Sequence, residues 1–202
     1  MTKIKMCGLT RTCDIAAANE LKIAYIGFVF APKSKRYVSP EQAEELKKLL
    51  SPDIRAVGVF VNEKPEVIAD LLEKGVIDLA QLHGEEDEET IARLRQLTIR
   101  PIIRAFKIQS AEDAAKAGAC SADAVLLDSG AGTGVTFNWE LIRTFSRPYF
   151  LAGGLSPDNV GEAVRKLHPY AVDVSSGIET DGKKDQSKMA AFAAAVRKEE
   201  KT

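Results

Sequence analysis

Ala24-Tyr-Ile-Gly-Phe-Val-Phe30, Ser39-Pro-Glu-Gln42 and Arg55-Ala-Val-Gly-Val-Phe-Val61 follow one another along a single stretch of chain, and their order decides the fold. The first and third are short apolar runs rich in β-branched and aromatic residues, which read as buried strands. The middle one opens a helix. Ser39 is a capping residue, Pro40 takes the first helical position, where a missing N–H costs nothing, and Gln42 completes a capping box.

Outward from there the same alternation covers the chain. Ile4 to Cys7, Ile77 to His83, Arg100 to Phe106, Ala122 to Asp128, Pro148 to Ala152 and Ala171 to Ser175 are further short apolar runs, which brings the strands to eight. Helical periodicity is clear in Glu66-Val-Ile-Ala-Asp-Leu-Leu-Glu73, closed by Gly75, and in Met189-Ala-Ala-Phe-Ala-Ala-Ala-Val196. Ser156-Pro157 repeats the Ser39-Pro40 device, and Ser110 and Asp185 are two further caps. The acidic run Glu85-Glu-Asp-Glu-Glu89 is expected to be a solvated helix start, where negative charge suits the macrodipole. Trp139 and Phe137 are expected to staple the start of helix six. Strict alternation implies parallel strands. Eight units favour a closed (β/α)8 barrel over an open doubly wound sheet: one α/β domain over residues 1–202, a TIM barrel short beside the typical ~250 residues.

Composition sets the bounds on function. Lys+Arg 28 against Asp+Glu 29 leaves a net charge of -1, so no global field favours nucleic acid or an anionic membrane, and an anionic ligand must be held by local groups. The longest strongly apolar stretch, Ile23 to Ala31, is far short of the roughly 20 residues of a membrane span. The N-terminus lacks the apolar core and cleavage site of a signal peptide, so the expected compartment is the cytoplasm. Cys7, Cys13 and Cys120 form neither an even framework nor a CxxC pair, and with only His83 and His168 besides, a dedicated metal site is not expected. The expected ligand is a small molecule, and the oligomeric state is open between monomer and homodimer.

Two protic groups stand where buried strands end and loops begin, which in a (β/α)8 barrel is the rim that carries the chemistry: Cys7 in Lys5-Met-Cys-Gly8 and Asp128 in Val125-Leu-Leu-Asp-Ser129. Side chains alternate along a strand, so Lys5 shares a face with Cys7, Gln81 with His83, Leu126 with Asp128 and Asp173 with Ser175. If those faces point inward, polar groups converge at the barrel mouth. The competing roles are plain: a small buried apolar side chain for Cys7, and a turn former before Gly130, Gly132 and Gly134 for Asp128. His83 is either a substrate contact or a hydrogen-bonded rim residue. Arg36, in Lys33-Ser-Lys-Arg-Tyr37, can clamp a carboxylate bidentately or lie in a basic surface loop.

Three glycine-rich segments invite comparison with phosphate loops. Ser129-Gly-Ala-Gly-Thr-Gly134 lacks the third glycine of the dinucleotide fingerprint and comes too late in the chain. Gly177-Ile-Glu-Thr-Asp-Gly-Lys-Lys184 imitates a Walker A loop, but Lys184 replaces the Ser/Thr and two acids face the would-be phosphates. A better anion site lies in Ala152-Gly-Gly-Leu155 and Val174-Ser-Ser-Gly177, after strands seven and eight, where this fold seats phosphates. Gly153, Gly154, Ser175, Ser176 and Gly177 are the residues expected there.

Seven segments in order then resemble the phosphoribosylanthranilate isomerase family of tryptophan biosynthesis: Lys5-Met-Cys-Gly-Leu-Thr10, Ser34-Lys-Arg-Tyr37, Gly58-Val-Phe-Val-Asn62, Gln81-Leu-His-Gly84, Leu127-Asp128 with Gly132-Thr-Gly134, Leu151-Ala-Gly-Gly-Leu155, and Asp173-Val-Ser-Ser-Gly177 with Gly182-Lys183. Ala131 and Asn138 depart from the pattern around the glycine loop. The resemblance implies an Amadori rearrangement of a phosphoribosyl anthranilate, with no metal or organic cofactor. It implies Asp128 as general acid, Cys7 as general base, Arg36 on the anthranilate carboxylate and the two glycine loops on the phosphate of a phosphosugar substrate. A sister phosphosugar enzyme and a catalytically silent barrel are the rival readings. Carboxyls and thiols ordinarily titrate at about 3.9 and about 8.5, so at neutral pH each starts in the wrong state for its role and the site must retune both. Lys5 near Cys7 is expected to favour the thiolate.

Overall fold

The computed structural model describes residues 1–128 and 139–199. The apolar runs become eight parallel strands: β1 Lys3–Cys7, β2 Tyr25–Val29, β3 Arg55–Phe60, β4 Leu79–Leu82, β5 Ile102–Lys107, β6 Ala124–Asp128, β7 Tyr149–Ala152 and β8 Ala171–Val174. They pair in sequence order and β8 returns to β1, with Lys5 opposite Tyr25 on one side and Asp173 on the other, so the barrel is closed. Strands buried on both faces explain why the runs are continuous rather than alternating. Outward residues such as Ile26, Phe28, Leu82, Leu127 and Leu151 pack under the helices, while Tyr25, Val57, Leu79, Ile103, Leu126 and Phe150 fill the interior.

Seven α-helices lie outside the barrel among the described residues: α1 Thr12–Leu21, α2 Pro40–Lys48, α3 Pro65–Glu73, α4 Glu88–Leu97, α5 Ala111–Ala119, α6 Val160–Leu167 and α7 Gln186–Glu199. Ser39 caps α2 by accepting from Gln42 N, but the Gln42 side chain donates to Thr10 O instead of closing the box. Ser110 and Asp113 form the complete box, and Asp185 accepts from Ser187 N and Lys188 N at the start of α7.

Three local expectations are corrected. Ser156-Pro157 does not start a helix: Asn159 accepts from Ser156 N and donates to Gly154 O, which spends this segment on tying down the β7 loop, and α6 begins at Val160. Trp139 starts a four-residue 3-10 turn, Trp139–Ile142, rather than an α-helix. Phe137 and the glycines at 130, 132 and 134 lie outside the described residues. The acidic run is only partly solvated, because Glu86 is buried and accepts from Asn62 N at 2.6 Å and Gly84 N at 2.8 Å.

A two-stranded antiparallel hairpin, β9 Glu179–Thr180 and β10 Lys183–Lys184, follows β8. Its turn residues Asp181 and Gly182 have φ of 52° and 74°, the paired left-handed conformation that a tight hairpin needs. At the opposite, N-terminal end of the strands, aromatic rings floor the barrel. Tyr25 and Tyr170 pack edge-on against Phe150, their hydroxyls are 3.1 Å apart, and Lys3 Nζ donates to Tyr170 Oη at 2.8 Å. No helix among the described residues is long and apolar enough to cross a membrane.

Candidate active site

A cavity of about 480 Å³ opens at the C-terminal ends of the strands. Of the residues named from sequence, Cys7, Arg36, His83, Asp128, Gly153, Gly154, Ser175 and Ser176 all line it. Gly177 does not; it packs behind, so close to the β7 loop that a Cβ would overlap the Leu155 carbonyl. That contact holds the loops after β7 and β8 against each other. Gly153 and Gly154 both take positive φ, at 93° and 63°, which only glycine adopts without strain.

Cys7 is the last residue of β1 and is 8% exposed. One pleat below it, the wholly buried Lys5 ammonium lies 3.0 Å from Asp173 Oδ1. Burial pushes the Cys7 thiol up, Lys5 pulls it down, Asp173 pushes it up again and Lys184 pulls it down; the outcome lies above the ordinary thiol value. Lys5 acts toward the thiolate, but burial outweighs it. Lys5 shares its charge with Asp173, and burial prevails.

Asp128 ends β6 at the rim, with its Oδ2 3.7 Å from His83 Nε2. His83 Nδ1 is 2.8 Å from Gln81 Nε2, and an amide N–H pointed at Nδ1 makes that nitrogen the acceptor and leaves the ring hydrogen on Nε2, facing Asp128. Burial lowers the His83 pKa, and the opposing charges of Asp128 and Asp173 do not restore it, so the ring is neutral at pH 7. The loop carrying His83 is fixed from outside the barrel. Arg104 donates to the carbonyls of Leu82, Gly84 and Glu86 at 3.1, 3.0 and 2.8 Å, and its charge stands 3.7 Å from the Glu86 carboxylate.

Arg36 passes over Gly8, where a Cβ would collide with its side chain. The guanidinium does not await a partner. Its Nε and Nη2 donate to the two carboxylate oxygens of Glu179 at 2.6 and 2.7 Å. Glu179 also accepts from Lys184 Nζ at 2.5 Å, and Lys184 donates to the Ser175 carbonyl at 2.9 Å. The Ser175 hydroxyl in turn donates to the Cys7 carbonyl at 3.0 Å. Glu179 and Lys184 were invisible as site residues in the sequence, where they looked like a failed nucleotide loop; the Asp181-Gly182 pair was the overlooked signal for a hairpin. Among the described residues no cluster of three or more His, Cys, Asp or Glu side chains could hold a metal ion.

A thiol, a carboxyl, a neutral imidazole and a guanidinium gathered at the strand ends of a closed parallel barrel define a (β/α)8-barrel enzyme. The family model for N-(5'-phosphoribosyl)anthranilate (PRA) isomerase matches residues 4–195. The chain belongs to that family, the isomerases of tryptophan biosynthesis. The N-(5'-phosphoribosyl)anthranilate isomerase of Endomicrobium trichonymphae is 45% identical over 194 residues, covering 94% of this chain and 95% of its own. The crystal structure of phosphoribosyl anthranilate isomerase from Thermotoga maritima superposes with a TM-score of 0.90 at 38% identity, covering 98% of this chain and all of its own. A second similar structure, TM-score 0.88 at 38% identity and with the same coverage, is of a phosphoribosyl anthranilate isomerase in complex with reduced 1-(o-carboxyphenylamino)-1-deoxyribulose 5-phosphate.

Proposed function

We propose that this chain converts N-(5-phosphoribosyl)anthranilate to 1-(2-carboxyphenylamino)-1-deoxyribulose 5-phosphate by general acid and general base catalysis. The observation that carries the reading is the presence of Cys7 and Asp128, on strands β1 and β6, in the cavity that the two glycine loops also line. Asp128 protonates the furanose ring oxygen, and the C1–O bond breaks to give a Schiff base. Cys7, as thiolate, removes the C2 proton and the electron pair moves to form the enolamine. The Cys7 thiol delivers a proton to C1 and the Asp128 carboxylate takes the enol proton, which completes a net isomerisation with both groups returned to their starting states.

The surroundings support the ligand-holding part of this scheme, while burial sets a cost on the Cys7 thiolate that the Lys5 charge only partly offsets. Gly153, Gly154, Ser175 and Ser176 border the cavity where the fold seats phosphate. Gly177 keeps those two loops in register, and Arg36 offers to the anthranilate carboxylate the end that no described residue takes. His83, neutral and with its Nε2 hydrogen toward Asp128, lines the same cavity beside that carboxyl. Positioned acids and bases contribute roughly 10²- to 10⁴-fold each. The test is turnover of freshly prepared substrate, followed by its fluorescence loss with chelator present. Wild type should turn over and both Cys7→Ala and Asp128→Asn should be crippled; a fully active Cys7→Ala would remove the base from this scheme.

A further inference from the structure

The hairpin β9–β10 has no part in barrel closure, yet it delivers two charged side chains to the edge of the site. Glu179 and Lys184 stand directly across the hairpin from each other in register. Both are largely buried, with side chains 9% and 2% exposed. A buried charge persists only when it is paired, and here the pairing forms a chain from Arg36 through Glu179 and Lys184 to the Ser175 carbonyl.

A guanidinium has two edges that can grip a carboxylate in parallel, the Nε–Nη2 side and the Nη1–Nη2 end. Glu179 takes the first. Resting on the isomerase reading above, we propose that Glu179 is a positioning residue: it grips Arg36 by the Nε–Nη2 edge so that the Nη1–Nη2 end is presented to the carboxylate of the substrate, with Lys184 anchoring the grip. The alternative, that Glu179 occupies the substrate's place and must leave, is disfavoured by the same geometry. Departure of Glu179 would strand the buried Lys184 ammonium without its counter-charge, whereas Arg36 lines the cavity and Glu179 does not. The Arg36 side chain is also long and 31% exposed, so without a fixed edge it would sample many rotamers before each binding event.

Two stable ligands separate this role from a structural one: the reduced product analogue with its carboxyl, and the phenylamino counterpart without it, each titrated calorimetrically against wild type, Glu179→Gln and Arg36→Met. Glu179→Gln should weaken the carboxylated ligand about tenfold, the size of one charge-assisted hydrogen bond, and leave the other within about twofold. Adding Glu179→Gln to Arg36→Met should change neither ligand further, because the effect passes through Arg36. Lys184→Met, whose side chain keeps the apolar packing, should reproduce the selective loss. Equal weakening of both ligands, no weakening, or tighter binding of the carboxylated one would overturn the proposal; the last result would mean that Glu179 competes for Arg36. Wild-type turnover is measured alongside. Its absence would sink the isomerase reading and this inference with it, while turnover with an unmoved ligand ratio would sink the inference alone.

Discussion

Gly27 on β2 leaves the space that the sulfur of Cys7 on β1 occupies: the two residues are register partners, and a Cβ on residue 27 would stand 2.6 Å from Cys7 Sγ. The glycine has an ordinary strand conformation, so its role is room rather than backbone freedom. Gly27→Ala should displace the thiol. Overpacking of this kind costs about 1–3 kcal/mol, and turnover should fall further than stability does. Parallel urea denaturation and activity measurements would check this, and an alanine variant with full turnover would show that the sulfur can yield.

Lys5 and Asp173 push the Cys7 thiol in opposite directions, which gives a paired test of opposite sign. Lys5→Met should move the thiol's titration, read from the pH dependence of its alkylation, to higher pH and lower turnover at neutral pH. Asp173→Asn should move it to lower pH. Each variant also strips one member from a buried ion pair, so each should lose about 3–5 kcal/mol in urea denaturation, and the double replacement by apolar residues should recover much of that.

Burial works to raise the Glu179 carboxyl, but the hydrogen bonds and charges of Arg36 and Lys184 outweigh it and hold the group at about 2. In the unfolded chain a glutamate titrates at about 4.3. The folded value is the lower one, so the stabilisation is complete above the unfolded value and is lost as pH falls between the two. Urea midpoints taken across that window should drop more steeply for wild type than for Glu179→Gln. Parallel curves would mean the ion pairs add nothing to the folded state.

The imidazole of His83 should stay neutral, with its hydrogen on Nε2, through a range in which free histidine, at about 6.5, is half protonated. Nitrogen chemical shifts of labelled protein report both points directly. Gln81→Met should release the ring and let the other tautomer appear. Among the described residues the Gln81 amide oxygen has no partner, so the tie to His83 is the polar contact this side chain keeps there.

The barrel was legible from sequence because parallel strands covered on both faces leave eight uninterrupted apolar runs, and their C-terminal ends could be counted to within a residue or two. Cys7 and Asp128 stood out as polar endings of such runs. Less could be read where several distant residues share one job. Glu86 looked like one more acid in a solvated run, yet it satisfies the amides of Asn62 and Gly84 and faces Arg104 from β5. Glu179 meets Arg36 only because the strands of a closed barrel bring residue 36 beside residue 179. Local pattern holds no trace of a contact that closure creates. The Ser156-Pro157 expectation failed for a different reason, since the cap chemistry was present and was spent on the neighbouring loop.

The aromatic floor of Tyr25, Phe150 and Tyr170 fills the N-terminal end of the barrel, and among the described residues the cavity opens at the other end. Substrate and product therefore share that doorway. An arriving phosphosugar must wait for the departing one, so product should inhibit in strict competition with substrate, and each cycle should run no faster than the well can empty.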